Sequence, residues 1–100
     1  MRCEGTVKMF FSEAKKRYGF LYVEGRPKDL FFHMKNACAC RAEDGEVLLQ
    51  KQKLERDPQP RDVLVFETGQ NDKGREKAKR WAFKDDFDRA AAEASQQKAA

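Results

Sequence analysis

Lys16-Arg17-Tyr18-Gly19-Phe20-Leu21-Tyr22-Val23 decides the fold, together with Leu30-Phe31-Phe32-His33-Met34, which follows it across a turn at residues 24–29. Both runs read as strands, because aromatic and branched side chains suit a pleated surface. Gly25 and Pro27 punctuate the turn between them. Side chains alternate between the two sides of a strand. Leu21 and Val23 therefore share one side of the first run, and Leu30 and Phe32 share one side of the second. These four make an interior. Tyr18, Phe20 and Tyr22 fall on the opposite side of the first run, and Phe31 and His33 on the opposite side of the second.

Outward from this pair, Thr6-Val7-Lys8-Met9-Phe10-Phe11 reads as a preceding strand whose Val7 and Phe10 can join the interior. Downstream, Asp62–Glu67 and Arg75–Phe83 read as two more strands around a turn at Thr68–Gly74. Five short strands cannot bury a core as a flat sheet. The expected fold is all-β, a small five-stranded antiparallel barrel, closed or nearly closed. It occupies residues 1–83, with a long insertion after the third strand at about residues 35–60. The insertion has no aromatic residue and reads as partly ordered, with a short helix stopped by Asp57-Pro58-Gln59-Pro60 as its one candidate element. Residues 84–100, rich in Ala with Gln and Asp, read as a polar tail, disordered or a frayed helix with no packed face.

The outward aromatics are the candidate site. A small barrel has no second sheet to cover Tyr18, Phe20, Phe31 and His33, and soluble proteins rarely leave a large aromatic patch in water without a use for it. Lys8, Lys15, Lys16, Arg17 and Lys35 flank these strands in sequence. An aromatic face bordered by cations suits single-stranded nucleic acid: bases stack on the rings, and the cations follow the phosphates. Lys73-Gly74-Arg75-Glu76-Lys77-Ala78-Lys79-Arg80 is a basic run that reads equally as a solvated hairpin end or as phosphate contacts beside the face, with Lys79 the candidate contact.

Over Glu4 to about Phe83 the chain resembles the bacterial cold-shock domain family. Gly5-Thr6-Val7-Lys8-Met9-Phe10 is similar to the family's opening G-x-V-K-W-F. Lys16-Arg17-Tyr18-Gly19-Phe20-Leu21 is similar to its first ribonucleoprotein-like motif, K-G-F-G-F-I, and Asp29-Leu30-Phe31-Phe32-His33-Met34 to the second, D-V-F-V-H-F. The resemblance implies an oligonucleotide-binding-fold (OB-fold) barrel of the cold-shock type. Tyr18, Phe20 and Phe31 would be stacking platforms, His33 a stacking or hydrogen-bonding partner, and Lys8 and Lys16 flanking cations. It places Met9 where the family has an exposed Trp and Met34 where it has a Phe, and thioethers offer no π-face. Phe11 stands where the family has Asn and compensates if it points outward. Arg17 replaces the first Gly of its motif, the preceding turn is two residues longer, and the insertion lacks the aromatic that the family carries after the third strand. Weaker or differently selective binding than a typical member is therefore expected.

Composition agrees. The chain has 100 residues, 40% hydrophobic and 38% charged, with a net charge of +4, a moderate bias toward polyanions. No apolar run approaches the ~20 residues that span a bilayer, and residues 1–5 lack the apolar core of a secretory signal, so no membrane association and a cytoplasmic location are expected. Three cysteines, Cys3, Cys38 and Cys40, make a poor disulfide framework and fit a reducing compartment. The His33-x4-Cys38-x-Cys40 spacing is not a usual zinc pattern, and no nucleophile–acid set accompanies His33. No metal, cofactor or catalysis is expected. The expected function is binding of single-stranded RNA or DNA with low sequence specificity, as an RNA chaperone or a regulator of transcription or translation. The competing class is a protein-interaction module that uses the same barrel face, with the insertion at 35–60 as an extra contact; Met9 and Met34 suit such an adaptable surface.

Overall fold

Five strands close into a barrel in the computed structural model, which describes residues 2–13 and 16–98. They are β1 (Arg2–Glu13), β2 (Lys16–Tyr22), β3 (Leu30–His33), β6 (Val63–Gln70) and β7 (Glu76–Phe83), and a hairpin of β4 (Cys38–Glu43) and β5 (Glu46–Lys51) lies between β3 and β6 in sequence. The barrel order is β1-β2-β3-β7-β6 and back to β1. The strands expected from the sequence are all present, β1 and β6 being longer than expected.

The barrel is not wholly antiparallel, as the sequence had suggested. An odd number of strands cannot alternate direction all the way round a closed ring, so one neighbouring pair has to be parallel. Here that pair is β3 and β7, in register at Phe31 and Lys77. The seam is extended by a parallel bridge between Ala37 and Trp81 and by the Trp81 indole, whose Nε1 donates to the His33 carbonyl at 2.8 Å.

The core forms from the inward residues of alternating strands: Val7, Leu21, Val23, Leu30, Phe32, Leu64, Phe66, Ala78, Trp81 and Phe83. Phe32 contacts Trp81 edge-on at 5.3 Å and stacks on half-buried Phe10 at 5.9 Å. Strict alternation would put Val7 and Met9 on the same side. A bulge between them, where the pairing moves from Val7–Leu21 to Met9–Phe20, reverses the parity. Val7 is therefore buried while Met9 is 38% exposed. Gly19 lies inward between Phe10 and Phe32. A Cβ there would meet the Met9 carbonyl oxygen at 2.3 Å and the Phe32 ring at 2.8 Å, so the space that the core rings fill requires glycine.

The insertion differs from expectation, and the tail takes the helical of its two expected forms but with an unexpected packed face. The insertion is ordered as the β4–β5 hairpin, closed by a two-residue turn in which Asp44 and Gly45 both have positive φ, 52° and 80°. That is the geometry of a type I′ turn, for which Asp-Gly is a favoured pair. Met34–Asn36 forms a single 3-10 turn that leads into it. The tail is α1 (Lys84–Lys98), a helix with a packed face. Its Ala90 and Ala94 are buried against Val47, with Phe87 and Ala91 alongside and Cys40 and Ala42 of β4 opposite. Gln97 clasps the hairpin turn: its Oε1 accepts from the Gly45 N–H at 3.0 Å, and its Nε2 donates to the Ala42 carbonyl at 3.3 Å. Arg2 of β1 donates to the Val47 carbonyl at 2.6 Å, tying the hairpin to the barrel. Among the described residues, no helix is long and apolar enough to cross a membrane.

Candidate functional site

The outward sides of β1, β2 and β3 carry two cross-strand rows. In one, Met9, Phe20 and Phe31 are directly opposed, and the parallel seam adds Lys77 beside Phe31. In the other, Phe11, Tyr18 and His33 are directly opposed. The rings form one connected surface. Phe11 and Tyr18 are 5.2 Å apart between centroids, Tyr18 and Phe31 5.6 Å, Phe20 and Phe31 6.0 Å, and Phe31 and His33 6.4 Å. They meet tilted or edge-on, so the patch is continuous without each ring covering its neighbour's face. Phe11 is 40% exposed, and Tyr18, Phe20, Phe31 and His33 are half-buried. Such pairs on one side of a sheet stabilise it as well as presenting the rings.

His33 Nδ1 accepts a hydrogen bond from the Lys35 backbone N–H at 3.0 Å, which leaves Nε2 to carry the proton of the neutral ring. Partial burial, then the charges of Lys35 and Lys77, hold its pKa below 6.5. At neutral pH the face is thus uncharged, with cations around its edge.

Those cations fall into two groups. Beyond Phe20 and Phe31 a cleft of about 730 Å³ is lined by Arg26, Lys28 and Arg75, with Asp29, Asn71 and Glu76. Arg26 is ion-paired with Glu76 there. On the His33 side, Arg17, Met34, Lys35, Lys51, Gln52 and Lys53 surround a smaller hollow. The structure therefore brings Met9, Phe11, Tyr18, Phe20, Phe31 and His33 together and sets Lys35 at their edge. Lys16 is exposed on β2, two residues before Tyr18. Lys79 lies on the outside of β7, its stem over Gly69, where an added Cβ would come within 2.7 Å of it. Lys8, in the bulge, pairs at 3.1 Å with Asp29, which lines the cleft beside Phe20 and Phe31, and itself lines a neighbouring hollow with exposed Tyr22 and Arg61. Met34 packs partly on the core and also lines the hollow on the His33 side. Lys15 is outside the described residues.

Sequence reading missed Arg26, Lys28, Lys51 and Lys53 as candidates. The first two stand in the turn between β2 and β3, where their charge is visible in sequence but their closeness to Phe20 and Phe31 is not. The other two reach the site only because the insertion folds into a hairpin.

The thiols have a structural setting. Burial raises the pKa of Cys38, and burial, then Asp86 and Cys38, push that of Cys40 up to about 11. Among the described residues, no group of three or more His, Cys, Asp or Glu side chains is placed to hold a metal ion.

No family model matches the chain, and neither does any curated protein or solved structure.

Proposed function

We propose that this chain is a single-stranded nucleic-acid-binding protein on an OB barrel of the cold-shock type, acting in the cytoplasm as an RNA chaperone or a regulator of transcription or translation. The observation that carries the proposal is the connected outward surface of Phe11, Tyr18, Phe20, Phe31 and His33 on adjacent strands, with Met9 at its edge and cations on two sides. The OB type is supported by the barrel order, in which the third and fifth barrel strands lie side by side and parallel. In such barrels the second and third strands and neighbouring loops are a common oligonucleotide-binding surface.

Each base would stack on a ring for ~1–3 kcal/mol, and the cations would follow the phosphates. The two rows hold more than one base side by side, so a bound strand is kept unstacked and unable to pair with itself. Stacking reads every base's π-face, which accounts for low sequence specificity. The protein binds without performing chemistry of its own.

Fluorescence anisotropy with labelled oligopyrimidines of about 6–8 nucleotides tests this. Binding should weaken with salt, at a log–log slope of about −0.7 per phosphate contacted. NMR amide shifts should concentrate in residues 8–34. Failure to bind any such oligomer at low salt, or a salt-independent affinity, would refute the proposal and favour a face that docks a protein.

A further inference from the structure

From the His33 side of the aromatic face, cations continue along the base of the β4–β5 hairpin and onto β7. Lys51 ends β5, opposite Cys38, and the Gln52 N–H donates to the Ala37 carbonyl at 3.1 Å. Ala37 itself bridges to Trp81. The segment is thus fixed to the barrel wall instead of hanging from a loop. Lys51 lines two adjoining hollows. One, with Arg17, Met34, Lys35 and Lys53, opens toward the His33 end of the face. The other, of about 380 Å³, is shared with Lys79 and Arg80 on β7 and with Asn36. Among the described residues, no carboxylate lies within ion-pairing distance of Lys35, Lys51, Lys53, Lys79 or Arg80, whereas Arg2, Lys8, Arg17, Arg26 and Lys84 are all paired. Arg80 stands cross-strand from Glu67, and Lys53 also borders a hollow with Glu55, Asp85 and Asp86; around the two adjoining hollows cations still outnumber carboxylates, a surface suited to a polyanion.

We propose that this channel is a phosphate track that lengthens the binding site. A single strand leaves the aromatic face beside His33 and passes over Lys35, with Lys53 and Lys51 holding its next phosphates and Lys79 and Arg80 beyond them. The inference rests on the proposed stacking face and adds to it a contact that reads backbone only, because no aromatic side chain lines either hollow. The site then takes more nucleotides than the face alone, within the about 4–16 that one OB fold covers. The extra affinity carries no sequence preference.

The test uses the full chain, oligothymidines of 4 and 12 nucleotides, and the K51Q/K53Q double variant, whose substitutions are both exposed. The variant should weaken the 12-mer about ten-fold at low salt and at least about three-fold more than it weakens the 4-mer, with the salt slope for the 12-mer shallower by about 1.4, two phosphate contacts' worth. An unchanged 12-mer affinity, or equal weakening of both lengths, would overturn the track while leaving the face intact. The face has its own control: F31A should weaken both lengths. Wild-type protein that binds neither oligomer would overturn face and track together. A thermal melt of the double variant that matches wild type excludes unfolding as the cause of any loss.

Discussion

Phe31 and Phe32 are neighbours of identical chemistry on opposite sides of one strand, and replacing each by alanine separates site from core. Phe32 is fully buried, against Trp81 at 5.3 Å and Phe10 at 5.9 Å. Phe32→Ala loses the transfer energy of the ring and leaves a cavity between fixed neighbours, about 3–5 kcal/mol. That is a large share of the ~5–15 kcal/mol that keeps a domain folded. Phe31 is half-buried and meets Phe20 edge-on at 6.0 Å and Tyr18 and His33 tilted at 5.6 and 6.4 Å. Losing those contacts costs on the order of 1 kcal/mol, a melting shift of about 4–8 °C for a chain of this size. Its larger effect is on binding, where one stacking platform is worth ~1–3 kcal/mol, about a five- to 150-fold change in Kd. Urea denaturation and oligonucleotide anisotropy on both variants give the two numbers. Phe31→Ala destabilising the chain as much as Phe32→Ala would make it a core ring and refute the assignment of faces. A stable Phe31→Ala that binds as well as wild type would refute stacking.

Gly19→Ala should destabilise the barrel by about 2 kcal/mol or more, because its Cβ meets a backbone carbonyl at 2.3 Å and a core ring; equilibrium denaturation reads it, and a neutral effect would mean that the three strands move apart easily. His33 is the sole histidine, so its NMR titration is unambiguous. Its pKa is depressed, so the unfolded chain protonates first as pH falls. The stability that the neutral ring contributes is complete above 6.5 and is lost from 6.5 down through the folded-state value. A midpoint at or above 6.5 would contradict the described surroundings. Oligonucleotide affinity should rise over the same fall in pH, as the ring gains a charge near phosphate, and His33→Gln should remove that rise. Cys38 and Cys40 should resist a thiol reagent at pH 8 until denaturant is added, given burial and a Cys40 pKa of about 11; fast labelling of Cys40 in native protein would show that α1 lifts from the hairpin.

The barrel strands and the split between core and face were legible because both follow from local alternation along β2 and β3. The bulge was not, yet without it Val7 and Met9 could not part. The hairpin left a readable mark: Asp44-Gly45 stands between alternating Cys38, Cys40 and Ala42 on one side and Val47 and Leu49 on the other. Its small side chains and lack of aromatics hid it as a strand pair. The packed stripe of α1 is Phe87, Ala90, Ala91 and Ala94, at helical spacing. Alanines give little hydrophobic contrast, and their burial makes sense only against a hairpin partner. One missed element therefore concealed the other. The cations of the site were visible as charges, but which of them border the rings is decided by contacts far apart in sequence.

The distribution of ion pairs divides the basic residues by task. Arg2 with Glu67, Lys8 with Asp29, Arg26 with Glu76 and Lys84 with Glu4 each join two segments of the framework. Arg17 does the same for the long connection into β6: Asp57 receives it together with the Ser12 hydroxyl, binding that connection to the tip of the β1–β2 hairpin. Such exposed pairs contribute little energy singly. Their effect on the field is larger, because every paired cation is neutralised locally while Lys35, Lys51, Lys53, Lys77 and Lys79, among other described cations, have no such partner. Of the cations behind the net charge of +4, Lys35 and Lys77 stand close enough to His33 to act on its ring. A modest overall charge is enough to steer a polyanion when the compensated cations lie elsewhere. In this chain the fold makes part of that separation: five carboxylates tie joints of the barrel, two of them beside Phe20 and Phe31, while among the described residues Lys35 and Lys77 near His33 have no ion-pair partner.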